Sequence, residues 1–309
     1  MAVLGAHTVV LEVPDLDVGI KFYGDAGLDV VREGRVARFR CPGQDRDSIV
    51  LTGGHARKRL HHIALRAEGL DEIAATVPAV GGAVVAAPDG YDSEGLWVTD
   101  ANGMLIHLVE FAAEPDLPLA PPFEINGPGR ISRVRRSAIL PAAQYAPVRP
   151  LRLGHILCFS PDVMASVRFM TEGLGMGLAD HAQDVIAFTC ARKNSDHHVV
   201  AFAKSPGIGF HHASFQVSDP DQVGRGGQVL RDKTGQGDWG MGRHTIGSNF
   251  FHYIKDPWGS WFEYYSDIDY IDDHALWSPT NYAMEDSLAS WGPTVPGDFV
   301  HNYEVDPGA

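Results

Sequence analysis

Fifteen histidines is a high count for 309 residues, and they cluster. His155, His197, His198, His211, His212, His244 and His252 all fall in the second half, with Glu263 shortly after them. Imidazole and carboxylate together suit a divalent ion of intermediate softness. Two histidines and one carboxylate on one face of such an ion leave its other positions open, as in non-haem Fe(II) sites that activate oxygen. The cysteines oppose a closed structural zinc site, because Cys41, Cys158 and Cys190 show no CxxC spacing. His155 lies in HILCF, His212 in HASFQV and Glu263 in WFEYY, each a strand-like run. Successive side chains of a strand point to opposite faces, so only one ring of the pair points inward, and either His211 or His212 is the ligand. A lone histidine on an apolar strand is more often a hydrogen-bonded core residue. A strand glutamate flanked by aromatics is a stronger signal, because carboxylates are rarely buried unless paired or metal-bound. His252 alternates away from Tyr253 and reads as structural. Asp267, Asp269, Asp272 and Asp273 lack the spacing of a calcium loop and read as surface.

Ligands that far apart in sequence require separate strands to carry them, and the chain supplies these twice. AHTVVLEVPDLDVGIKFYGDAGLDVV near the start is matched by LGHILCFSPDVMASVRFMTEGLGMGL in the second half. Each shows an apolar strand, Pro-Asp, a helical stretch and a glycine-bounded return, with Asp15 and Asp162 suited to cap a helix. LHHIALRAEGLDEIAATVPAVGGAV parallels FHHASFQVSDPDQVGRGGQVL, and MLIHLVEF parallels SWFEYYSD. This alignment sets His62 opposite His212, Glu110 opposite Glu263, and Thr8 rather than His7 opposite His155. An internal duplication is the reading. The expected fold class is α+β: two tandem domains, each of two βαβββ modules forming an open mixed or antiparallel barrel around the site. Residues 1–112 form the first domain, expected to hold no metal, and 113–150 a Pro/Gly/Arg-rich linker with Arg130, Arg133, Arg135 and Arg136. Residues 151–275 form the catalytic domain. An acidic tail, 276–309, carries Trp277, Tyr282 and Trp291 as a packing arm.

The charge balance narrows the partners. Twenty-five Lys plus Arg against 39 Asp plus Glu leave a net charge of −14. Eleven acids and no Lys or Arg lie from Asp256 onward, and most of these acids read as solvated surface. Phosphates would be repelled, so nucleic acid and anionic membranes are not expected partners. No apolar run approaches the ~20 residues of a membrane span, and the start lacks a leader pattern, so a soluble cytoplasmic protein is expected. EGLGMGLAD is glycine-rich but follows a helix and lacks GxGxxG. GxSxG and HExxH are also absent.

LGHILCFSPD, HHVVAF, FHHASFQV and GRHTIGSNFFHYIKDPWGSWFEYYSD resemble the type I extradiol ring-cleaving dioxygenases of the vicinal oxygen chelate superfamily, which include catechol 2,3-dioxygenases. The last segment is the most specific. Family enzymes carry a His, a Tyr nine residues later and a Glu ten after that, and His244, Tyr253 and Glu263 keep both intervals. The resemblance implies His155, His212 and Glu263 as metal ligands, His198 as acid/base, and His244 and Tyr253 as contacts to the substrate oxygens. It implies Fe(II), or Mn(II), as cofactor, a catechol-type substrate with O2, meta cleavage in aromatic compound degradation, and a homo-oligomer. The interval from His198 to His212 is one residue shorter than in the family, which keeps His197 as a rival to His198. Trp239 stands where homoprotocatechuate-cleaving relatives place an arginine, implying an uncharged or apolar ring substituent. The alternatives are a hydroquinone-cleaving dioxygenase and a glyoxalase-like isomerase or epimerase, which would need a fourth ligand. A binding module without catalysis would have no use for His198, His244 and Tyr253 together.

Overall fold

The computed structural model describes residues 2–110, 141 and 144–305. The linker arginines, Arg130, Arg133, Arg135 and Arg136, lie outside the described residues. The first half runs β1 (Ala2–Val13), α1 (Leu16–Asp25), β2 (Asp29–Glu33), β3 (Val36–Arg40), β4 (Ile49–Gly53), β5 (Arg59–Glu68), α2 (Leu70–Thr76), β6 (Ala83–Val84), β7 (Leu96–Thr99) and β8 (Leu105–Glu110). The second half opens with β9 (Arg152–Ser160), α3 (Val163–Arg168), β10 (Gly177–Ala182), β11 (Ile186–Cys190), β12 (Lys193–Asp196) and β13 (Val200–Lys204). It continues with β14 (Gly209–Gln216), α4 (Pro220–Thr234), β15 (Asp238–His244), β16 (Phe250–Lys255), β17 (Trp261–Ser266), β18 (Tyr270–Asp273) and β19 (Ala289–Trp291).

The duplication is visible in the strand order. The first sheet runs β2-β3-β4-β1-β5-β8-β7-β6, and the second runs β10-β11-β13-β9-β14-β17-β16-β15 with β19 added at the edge. In each, the opening strands of two modules pair antiparallel at the centre, β1 with β5 and β9 with β14. Each opening strand also lies parallel to the last strand of its own module. The sheets are therefore mixed, as the alternating sequence pattern implies.

Local chemistry sets the helices. Asp15 accepts hydrogen bonds from the Asp17 and Val18 amides, and Asp162 from the Ala165 amide, so both Pro-Asp steps cap as the sequence suggests. Helix α1 buries Phe22 and Tyr23, whose rings meet Phe262 of the second half at 6.4 and 6.3 Å. Burying each such ring contributes roughly 2 kcal/mol. The two halves thus share core. Among the described residues no helix is long and apolar enough to cross a membrane.

Two of the acids from Asp256 onward depart from the solvated-surface reading. Asp256 is buried and accepts the Trp258 and Ser260 amides, closing the turn before β17, and burial pushes its carboxyl up. Glu304 pairs with buried Lys58 at 2.6 Å and accepts the Leu60 and Phe210 amides. Lys58 also donates to the Phe210 carbonyl at 3.2 Å and to the Ser260 hydroxyl. A single ion pair thereby joins the first half, the second half and the tail. Glu304→Ala leaves an ammonium buried without its partner. The expected loss is about 3–5 kcal/mol in urea unfolding, with much of it recovered in the double variant Lys58→Met/Glu304→Leu.

Candidate metal centre

The register of three neighbouring strands assembles the centre. Ser214 on β14 pairs with His155 on β9 to one side and with Glu263 on β17 to the other. His212 sits two residues before Ser214, and the period of two returns it to the same face. One ligand atom from each of His155, His212 and Glu263 lies within 4.8 Å of the other two, and all three residues are buried. The Ser214 hydroxyl donates to Glu263 Oε2, and Asn249 Nδ2 donates to Oε1 at 3.1 Å.

The double histidine is resolved by its hydrogen bonds. His211 turns away and donates from Nε2 to the Phe299 carbonyl at 2.8 Å. Its Nδ1 must then accept from His212 Nδ1, 2.6 Å away. This leaves His212 Nε2 as a bare lone pair 3.6 Å from Glu263 Oε2, with no hydrogen-bond partner among the described residues. A buried, orphaned nitrogen beside a buried carboxylate fits a metal ligand. His155 Nε2 lies 3.1 Å from the same oxygen. Burial lowers the His212 pKa well below its ordinary value, with His211 adding to the effect, so the ring stays neutral. Burial alone would raise Glu263. The hydrogen bonds from His155 and His244 outweigh it and hold the carboxyl well below the usual range.

The other proposed residues surround this triad. The His198 ring lies 4.1 Å from that of His155, whereas His197 points away, toward Asp180. Burial first, and the imidazoles of His155 and His197 next, keep His198 well below its ordinary pKa. His244 donates from Nδ1 to the Leu288 carbonyl at 2.5 Å, and its Nε2 meets the Tyr253 hydroxyl at 2.9 Å. Burial, then the Glu263 charge, push the Tyr253 phenol well above its ordinary value. The cavity over the triad measures about 30 Å³, with apolar walls that include Leu157, Phe188, Ile246, Leu288 and Phe299. That is room for a water or two, so an aromatic ring requires the tail residues Leu288 and Phe299 to give way.

The model of the glyoxalase/bleomycin resistance protein/dioxygenase superfamily matches residues 152–264. Metapyrocatechase 2 of Cupriavidus necator is 38% identical over 298 residues, spanning 96% of this chain and 91% of that one. The chain belongs to the metapyrocatechase family of that superfamily. The Mn(II)-bound glyoxalase from Novosphingobium aromaticivorans has a TM-score of 0.74 at 25% identity, covering 96% of this chain and 94% of that one. A homoprotocatechuate 2,3-dioxygenase variant from Brevibacterium fuscum has a TM-score of 0.75 at 21% identity, over 97% and 82% of the two chains.

For this metapyrocatechase-family chain two expectations need correction. Trp239 does not line the cavity. It stacks behind Tyr253 at 5.5 Å, edges onto Phe299 at 4.5 Å and donates to the Pro293 carbonyl. Glu110 is not the counterpart of Glu263. In the first sheet Ala64 pairs with Thr8 and with His107, as Ser214 pairs with His155 and Glu263, while exposed Glu110 lies opposite Ala67. The sequence alignment missed a shorter crossover in the first half, where α2 has 7 residues and α4 in the second has 15. Thr8 opposite His155 is as expected. The same register sets Trp97 in the place of Tyr253 and Asp47 in that of His198. Sequence reasoning missed Ser214, although its spacing of two from His212 was a readable signal. Asn249 and the tail carbonyls carry no periodicity and gave none.

The larger cavity, about 830 Å³, lies on the first sheet beside His7, His62, His107 and Trp97. Size does not make it the metal site, because His155, His212 and Glu263 are the set that converges among the described residues. Burial lowers the pKa of His62 to about 3 and that of His7 to about 4. The unfolded chain takes up those protons near pH 6.5, so their contribution is complete above that pH and is lost as pH falls toward 4. Urea unfolding should show about 1 kcal/mol lost per histidine between pH 7.5 and 5.5, and His62→Phe should reduce the loss. Glu263→Ala should abolish metal retention by elemental analysis, whereas Glu110→Ala should leave it unchanged.

Proposed function

We propose that this chain is an Fe(II)-dependent extradiol dioxygenase that opens a catechol-type ring beside its vicinal hydroxyls, consuming O2, in the breakdown of aromatic compounds. The observation that carries the reading is the orphaned His212 Nε2 facing Glu263 and His155 in a buried cluster bounded by His198, His244 and Tyr253. The similarity to metapyrocatechase 2 along nearly the whole chain supports the same reading. Fe(II) held by His155, His212 and Glu263 would supply a cation that lowers the pKa of the catechol oxygens and keeps catechol and O2 in contact. Mn(II) suits the same donors.

The chain's own groups do the rest. His198, neutral and at the cavity wall, takes a proton from a ring hydroxyl and later returns it. His244 Nδ1 faces the Leu288 carbonyl, and its Nε2 meets the Tyr253 hydroxyl beside the cavity. Both groups then stand ready to bind the substrate oxygens and steady developing negative charge. Apolar walls exclude water and favour an uncharged ring substituent, a preference carried by Leu157, Phe188 and Ile246 rather than by Trp239. Domain limits of 1–112 and 151–275 are supported by the two sheets of matching order. An isomerase-type site would need a fourth ligand, and among the described residues none joins the triad.

The test is anaerobic purification with Fe(II), then addition of catechols and air. Oxygen uptake and a yellow ring-opened product are expected. No uptake with any catechol or hydroquinone overturns the reading. His198→Gln should retain iron while kcat falls by about 100-fold or more.

A further inference from the structure

We propose that Asp180 and His197 are positioning residues that fix the tautomer of His198, so that its Nε2 presents a bare lone pair to the cavity. The consequence for turnover rests on the dioxygenase reading; the tautomer itself does not.

The proton positions follow one from another. Asp180, buried on β10, accepts the Thr280 amide on Oδ1 at 2.6 Å, and its Oδ2 lies 2.8 Å from His197 Nε2. A carboxylate only accepts, so His197 carries its hydrogen on Nε2. In its neutral form an imidazole has one N–H, and His197 Nδ1 is then a lone pair. That nitrogen is 3.0 Å from His198 Nδ1. Two facing lone pairs would repel, so the hydrogen between them belongs to His198 Nδ1. The remaining nitrogen of His198, the one available to the cavity, is then an acceptor. His198 meets its substrate as a base without having to shed a proton first.

The surroundings hold this line in place. The His197 amide donates to the Asp269 carbonyl at 2.7 Å, and Trp277 from the tail stands edge-on to its ring at 5.5 Å. Gly247 covers the pair with φ +81, and a Cβ there would stand 3.3 Å from both imidazoles. His211 uses the same logic on the ligand His212, with the Phe299 carbonyl in the role of Asp180.

The nearly isosteric change Asp180→Asn is expected to invert the line. The Thr280 amide still needs an acceptor, which orients the side-chain oxygen toward it and turns the NH2 onto His197 Nε2. His197 then carries its hydrogen on Nδ1 and donates to His198 Nδ1, and His198 presents Nε2–H to the cavity. The readout is long-range 1H–15N correlation of 15N-histidine in the full-length protein loaded with diamagnetic Zn(II), with His198 assigned by loss of its signals in His198→Gln. The wild type should show Nδ1–H, and Asp180→Asn should show Nε2–H. In the Fe(II) enzyme Asp180→Asn should lower kcat by about 100-fold with KM and iron content within twofold. Adding His197→Asn, whose amide oxygen can replace the Nδ1 acceptor, should restore turnover to within tenfold of wild type. Nε2–H on wild-type His198, or an unchanged tautomer in folded Asp180→Asn, overturns the proposal. The expected tautomers together with no oxygen uptake would uphold it and overturn the dioxygenase reading instead.

Discussion

The structure depends on one carboxylate removed from water. Glu263 is wholly buried in the middle of a sheet. An ionised carboxyl in such a place costs several kcal/mol unless its charge is met. Two imidazoles, a hydroxyl and an amide converge on it from neighbouring strands and the loop before β16, and the aromatic residues of β16 and β17 close around them. The charge is stable there because the strands deliver these partners in register, and a cation among them would complete the balance.

Positive charge is held elsewhere. Near the triad burial opposes protonation of His198 and His212. Neutral rings can serve as ligands or bases, but only when the correct nitrogen is bare. Pairs of adjacent histidines solve that problem twice, with the outer ring anchored and the inner ring dictated. The anchor for one pair is a carbonyl of the tail, and the tail amide of Thr280 holds the other through Asp180. The tail is therefore part of the site, and Lys58 with Glu304 ties it to the first half.

Duplication explains both the architecture and its asymmetry. Each half repeats one strand order, so each has a concave face with equivalent positions on it. In the first half Thr8, His107, Trp97 and Asp47 take the places of His155, Glu263, Tyr253 and His198, and only His62 keeps the type found in the second. The first sheet keeps an open cavity, whereas the much smaller one on the second is bordered by the tail residues Leu288 and Phe299.

The duplication, the Pro-Asp caps and the three ligand types were legible in the sequence alone. They rest on local rules: the strand period, side-chain capping, and the rarity of a carboxylate between aromatics. The hydrogen bond that turns His211 away from the triad and the place of His198 beside His155 came from the tertiary structure. So did the substitution of His107 for Glu110, the position of Trp239 behind Tyr253, and the roles of Ser214, Asn249 and the tail carbonyls. Each of these is set by the pairing of distant strands or by a loop crossing over them. Register and hydrogen-bond direction are properties of pairs of segments, and a single strand's sequence does not contain its partner.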